Sequence, residues 1–195
     1  MALVAVAMTC VQGTRFSDSF GGCNSYAFTT IGTDARWLGP KFSLMFRLKL
    51  QTPGATLPGA LVGCASSVPV ARRFWLEVDP NGSLFTIRGQ LNTTACGAVT
   101  VTTFTKTQDT SEHSVAWTYD QAGSWATYWD GAPQGSGAAP CANLSGPASA
   151  GDIFIITGAA NFAGAEVFNI DRVFYANDIM TATQVANAHG NCSLF

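Results

Sequence analysis

An all-β sandwich carrying one short C-terminal helix is the fold class this sequence predicts, on three observations. First, Phe42 to Leu50 puts a large apolar side chain at every even position, with Ser43, Arg47 and Lys49 between them. That period of two marks a half-buried strand. Second, Arg73 to Asp79 and Ser83 to Arg88 read as strands on either side of Pro80-Asn81-Gly82. Asn-Gly supplies the positive φ angles of a tight hairpin turn. Third, short strands are expected at Ala98 to Thr105, His113 to Tyr119, Ser124 to Trp129, Asp152 to Thr157 and Glu166 to Tyr175, separated by Gly, Pro, Asp or Ser clusters. Strands at that spacing build a sandwich.

Thr181 to His189 is the one helix expected, with Thr181 or Asp178 capping its start and Gly190 ending it. The Pro- and Gly-rich stretches 51–59 and 131–151 read as long loops between strands. A chain of 195 residues, 47% of them hydrophobic and 11% aromatic, fits one such domain with ample apolar surface for its core.

Charge excludes several functions. Only 11% of residues are Asp, Glu, Lys or Arg and the net charge is -2, with no basic cluster. Nucleic-acid binding, which rests on neutralising phosphates, is not expected, and neither is membrane insertion or steering by basic residues. The six cysteines, Cys10, Cys23, Cys64, Cys96, Cys141 and Cys192, are widely spread, without a Cys-x-x-Cys pair and with only His113 and His189 beside them. They read as three disulfides in an oxidising compartment rather than a zinc site, with buried free thiols as the alternative. Four Asn-x-Ser/Thr sequons, at Asn81, Asn92, Asn143 and Asn191, agree with a secreted, extracellular glycoprotein.

The first segment, Ala2, Leu3, Val4, Ala5, Val6, Ala7 and Met8, is apolar on both strand faces and needs cover on two sides. As a signal peptide it lacks a basic start and a small-residue cleavage site. It is either the first strand of its own domain or a strand donated to a neighbour. Donation that never closes builds a fibre.

His113-Ser-Val-Ala-Trp-Thr-Tyr-Asp120, followed by Ala126-Thr-Tyr-Trp-Asp130-Gly131, resembles the strand and Tyr-x-Asp-Gly hairpin of the laminin-G-like, or concanavalin A-like, jelly-roll family of extracellular modules. Phe168-Asn-Ile-Asp171-Arg-Val-Phe-Tyr175 and Ile179 to Val185 are similar to its last strand and terminal helix, so the resemblance covers about residues 16 to 190. It implies two antiparallel sheets packed face to face, a two-sheet jelly roll over 16–195, with 1–15 as a separate apolar segment. It also implies that His113 is a strand-edge residue. Many members hold calcium, for which Asp171 matches the acidic residue of the final strand and Asp18 or Asn24 would lie in a partnering loop.

Catalysis is not expected. Glu77 and Asp79 share one strand face, as paired carboxylates of a glycosidase would, but the third acidic residue of the glucanase relatives is replaced by Pro80-Asn81-Gly82-Ser83. Neither histidine has a neighbouring Ser or Cys in sequence that suggests a nucleophile. Five tryptophans, Trp37, Trp75, Trp117, Trp125 and Trp129, offer either core filling or a sugar platform, with Trp125 and Trp129 on one strand face. The expected function is a secreted, glycosylated, non-catalytic structural protein that self-assembles as a homo-oligomer or homopolymer into a filament or matrix through Ala2 to Met8. The alternative is a lectin-like adhesion module that binds a glycan or protein, with or without calcium.

Overall fold

The computed structural model describes residues 26–30, 41–51, 60–67, 70–93, 97–140, 152–157, 168–176 and 178–190. Among these residues eleven strands precede one helix. They are β1 (Tyr26–Thr30), β2 (Lys41–Leu50), β3 (Ala60–Ser67), β4 (Val70–Asn81), β5 (Leu84–Thr93), β6 (Gly97–Thr107), β7 (Glu112–Asp120), β8 (Ser124–Trp129), β9 (Ala132–Ala138), β10 (Asp152–Thr157) and β11 (Phe168–Ala176), followed by α1 (Ala182–Gly190). Among these residues no helix is long and apolar enough to cross a membrane.

The strands form two antiparallel sheets. Sheet A has the order β1-β10-β3-β4-β5-β6 and sheet B the order β11-β2-β7-β8-β9. Late strands return beside early ones in both sheets, β10 between β1 and β3 and β11 against β2. This is the predicted two-sheet jelly roll with its short C-terminal helix.

The core lies between the sheets. Phe42, Leu44, Phe46, Leu48 and Leu50 of β2 and Val115, Trp117 and Tyr119 of β7 face Phe74, Leu76 and Val78 of β4 and Phe85, Ile87 and Leu91 of β5. Aromatic rings fix the packing: Phe42 stacks on Phe74 with centroids 4.6 Å apart and meets Trp117 edge-on at 5.0 Å.

The β4–β5 hairpin pairs Asn81 with Leu84 across a two-residue loop. Only Gly82 takes positive φ, at 62°, so the turn uses Gly82-Ser83 and not Asn81-Gly82 as its central pair. Glycine at the first central position is the mark of a II′ turn. At the β8–β9 corner both Asp130 and Gly131 have positive φ, 50° and 74°, the I′ pattern that an Asp-Gly pair supports.

Three features depart from expectation. Residues 131–151 are not all loop, because Ala132–Ala138 forms β9 at the margin of sheet B. Its Pro133 is tolerated on an outer strand, and Gly135 and Gly137 leave room for the Trp125 ring, which an added Cβ would approach to 3.5 and 3.0 Å. Strands β1 and β3 lack a clear alternating signal. In β3, Gly63 lies so close to β4 that a Cβ there would fall 2.2 Å from the Phe74 carbonyl oxygen.

The third departure concerns β2, which is not half-buried. Ser43, Met45 and Arg47 are as covered as the core-facing residues, at 1%, 0% and 7% exposure. Helix α1 and the residues before it lie on that outer face, where Met180, Val185 and Ala188 pack against Met45, Ala116 and Tyr128.

Candidate functional site

The outer face of sheet A follows from strand alternation. On β4 the residues between core-facing Phe74, Leu76 and Val78 are Trp75, Glu77 and Asp79, and on β5 those between Phe85, Ile87 and Leu91 include Thr86, Arg88 and Gln90. Antiparallel register sets Trp75 opposite Gln90, Glu77 opposite Arg88 and Asp79 opposite Thr86. On β6, Thr103 and Thr105 lie beside Arg88 and Thr86, and both are exposed.

Charge and hydrogen bonding tie these rows together. Arg88 Nη1 donates to Asp79 Oδ2 and, at 3.5 Å, to Glu77 Oε2. Gln90 Nε2 donates to the same Glu77 oxygen at 3.0 Å. The side chains of Arg88, Asp79 and Glu77 are 36%, 21% and 14% exposed, so the ladder is half-buried with Arg88 its most accessible member. Trp75 sits at its end, only 7% exposed. Aligned donors and acceptors held by ion pairs beside an aromatic ring suit a ligand rich in hydroxyl groups.

A second polar cluster lies at the end of β7, on the inner side of sheet B, where the His113 ring meets core residues Phe85 and Trp129. His113 Nδ1 is 2.8 Å from Asp130 Oδ2 and Nε2 is 3.0 Å from Asp109 Oδ1. The ring donates to both carboxylates only when both nitrogens carry hydrogen. Trp129 covers it at a centroid distance of 4.6 Å. The backbone N–H of Ser111 and, less strongly, His113 hold the Asp109 carboxyl below its usual range against an opposing desolvation. Nearby, burial pushes the Tyr128 hydroxyl up.

From this cluster the helix is clasped to the sheet. The Ser114 hydroxyl lies 2.9 Å from His189 Nδ1, and Arg47 Nη2 donates to the His189 carbonyl at 2.7 Å while Nη1 reaches Glu112 at 2.7 Å. Ser43 Oγ donates to the Asp178 carbonyl and accepts from the Met180 N–H. Thr181 and Gln184 form a reciprocal capping box, each side-chain oxygen accepting the other's backbone N–H. Ser114 thus has a histidine neighbour that sequence did not suggest, but at 2% exposure it is a brace beneath α1. His113 is the second residue of β7, the central strand of sheet B, with its side chain 11% exposed.

Other expected site residues fall as follows. Trp125 and Trp129 do share a strand face, but it is the inner one: Trp129 belongs to the core with Trp117, and Trp125 packs partly buried against it. Facing inward, they cannot form a sugar platform; Trp37 lies outside the described residues. Asn81 is exposed at the end of β4, beside the hairpin turn. Asn92 and Cys64 lie in β5 and β3 and Asp171 in β11 opposite Arg47, with their side chains outside the described residues. Also outside are Ala2 to Met8, Cys10, Asp18, Cys23, Asn24, Cys96, Cys141, Asn143, Asn191 and Cys192. Among the described residues no three His, Cys, Asp or Glu side chains form a group that could hold a metal ion.

Sequence reasoning reached Glu77 and Asp79 but missed Arg88 and Gln90 as their partners. A signal was present. Once the two-residue loop is fixed at Gly82-Ser83, antiparallel register alone sets Arg88 across from Glu77 and Gln90 across from Trp75.

No protein-family profile matches the chain, and no curated protein matches it. Solved structures do. The botulinum neurotoxin serotype G binding domain aligns over 87% of this chain and 41% of its own, with a TM-score of 0.58 and 14% identity. A native heptameric SAP-like pentraxin from Limulus polyphemus aligns over 86% of this chain and 83% of its own, at TM-score 0.56 and 15% identity. The binding domain of botulinum neurotoxin DC, solved in complex with SialylT, covers 85% of this chain and 39% of its own at TM-score 0.54 and 9% identity. The chain spans about two fifths of the length of the toxin binding domains it matches. At such identities the likeness establishes the fold alone, a two-sheet jelly roll; the laminin G family is not among the names these structures carry.

Proposed function

We propose that this chain is a non-catalytic, lectin-like binding domain whose ligand is a glycan, docked on the outer face of sheet A across β4, β5 and β6. The observation that carries this reading is the half-buried ladder of Glu77, Asp79, Arg88 and Gln90, flanked by exposed Thr103 and Thr105 and ending at Trp75. The toxin binding domain solved with SialylT and the toxin whose cell entry depends on two ganglioside molecules support it by analogy of fold. The toxin neighbours, titled as binding domains, support binding over self-assembly through Ala2 to Met8, a segment outside the described residues. Secretion belongs to the same proposal, supported by the spread of cysteines and by Asn81, whose sequon is exposed beside a hairpin turn.

A glycan array, run with and without a calcium chelator, tests the reading, followed by titration of the best ligand against Arg88→Ala and Gln90→Ala. Each variant should weaken binding at least tenfold, about 1.4 kcal/mol, while Glu112→Ala on the opposite sheet leaves it unchanged. Absence of saturable binding to any glycan sinks the proposal, and full binding by both variants removes it from this face.

A further inference from the structure

The ladder on the outer face of sheet A holds two carboxylates, Glu77 and Asp79, to one guanidinium, Arg88. Strand register fixes that excess of negative charge, with Glu77 directly opposite Arg88 and Asp79 two residues further along β4. Among the described residues Arg88 meets the protein's acceptors through a single nitrogen, Nη1. Its Nε and Nη2 are left to donate elsewhere, on the ladder's most accessible side chain.

The other basic residues of β4, β5 and β6 do not restore the balance. Lys106 pairs with the core residue Phe85, so alternation puts it on the inner side of β6, away from Thr103 and Thr105. Arg72 and Arg73 stand beyond Trp75 in β4, at least about 13 Å along the strand from Glu77 and about 20 Å from Asp79. Both separations exceed the ~8 Å Debye length of physiological salt.

We propose that this face selects uncharged glycans and discriminates against sialylated, sulfated or uronic acid-bearing ones, an inference that rests on the reading of sheet A as a glycan face. A sugar hydroxyl both donates and accepts. One ring hydroxyl can accept from the Nε and Nη2 edge of Arg88 while its neighbour donates to a ladder carboxylate, which has lone pairs for several donors. A ligand carboxylate or sulfate only accepts. It gains the Arg88 edge and in the same step is brought against two like charges, and such juxtaposition is a source of specificity. The toxin domains share the fold with this chain and little sequence, so their ligands do not set this choice.

The test uses matched pairs of oligosaccharides, each neutral glycan beside the same glycan carrying a terminal sialic acid or a sulfate, titrated on the parent, Asp79→Asn and Glu77→Gln. On the parent, the acidic member should bind about fivefold more weakly than its neutral counterpart, and added salt should narrow the gap. Asp79→Asn and Glu77→Gln each remove one carboxylate charge and keep an oxygen that can accept from Arg88, and each should bring the two members within about twofold. Equal or tighter binding of the acidic members by the parent overturns the inference and leaves sheet A as a glycan face. A preference for neutral glycans that neither substitution changes overturns it too. Should neither variant fold, the sign of the parent's preference and its salt dependence decide. Absence of saturable binding to neutral and acidic members alike removes the glycan reading itself, and this inference with it.

Discussion

The two outer faces of the sandwich begin from the same strand alternation and end in opposite states. On sheet A, the residues alternating with core positions of β4 and β5 form a charged ladder that stays partly exposed. On sheet B, the matching residues Ser43, Met45, Arg47, Ala116 and Tyr128 are buried beneath the C-terminal helix. The difference teaches that alternation reports which residues share a face, while a later segment of chain decides whether that face meets water. It also explains the placement of function. The covered face spends its polar groups on holding α1, and the open one leaves them ordered for a ligand.

Matched substitutions should break this comparison most visibly. Met45→Asp places an unpaired carboxylate under the helix and should cost more than about 3 kcal/mol, enough to unfold a marginal domain. Thr105→Asp on the open face should stay within about 1 kcal/mol. Urea midpoints of the pair measure the contrast, and equal midpoints would mean that α1 does not cover sheet B in solution.

Gly131→Ala comes next. Its φ of 74° strains any side chain, and a Cβ there would stand 3.0 Å from the Ala186 Cα of the helix. We expect a loss of about 1–3 kcal/mol and a fall of several degrees in melting temperature, with no change in the outer face of sheet A. Thr181→Ala removes half of the capping box and should cost about 1 kcal/mol, read as earlier loss of helical circular dichroism on heating.

The smallest expected effect is that of pH on Asp109. Its carboxyl is held low in the folded chain, so the stability it contributes is present above the ordinary carboxylate range and lost as pH falls through its depressed value. Asp109→Asn should therefore flatten the acid limb of a stability–pH curve slightly. Because Asp109 is half exposed, solvent screens the effect, and an unchanged acid limb would show that its contacts with Ser111 and His113 contribute nothing measurable.

Much of the architecture was legible in the chain. The hairpin at Gly82, the strands from β6 to β8 and the capped helix at Thr181 all carry local signals, in glycine, apolar period and capping residues. Strands β1, β3 and β9 did not, since their composition is set by what lies against them: Gly63 by the Phe74 backbone, Gly135 and Gly137 by the Trp125 ring. Half of the candidate site was visible in Glu77 and Asp79. The rest, Arg88 and Gln90, required register, a relation between strands that no single strand encodes.

By itself, the sequence determined the fold class, the shared face of Glu77 and Asp79, the shared strand face of Trp125 and Trp129 and the start of α1, because each rests on periodicity or on contacts within a few residues. Tertiary structure alone decided that the tryptophans belong to the core, that Ser114 meets His189 across 75 positions, and that one sheet face is covered while the other is open. Those outcomes depend on residues far apart in the chain being brought together, which local pattern cannot specify.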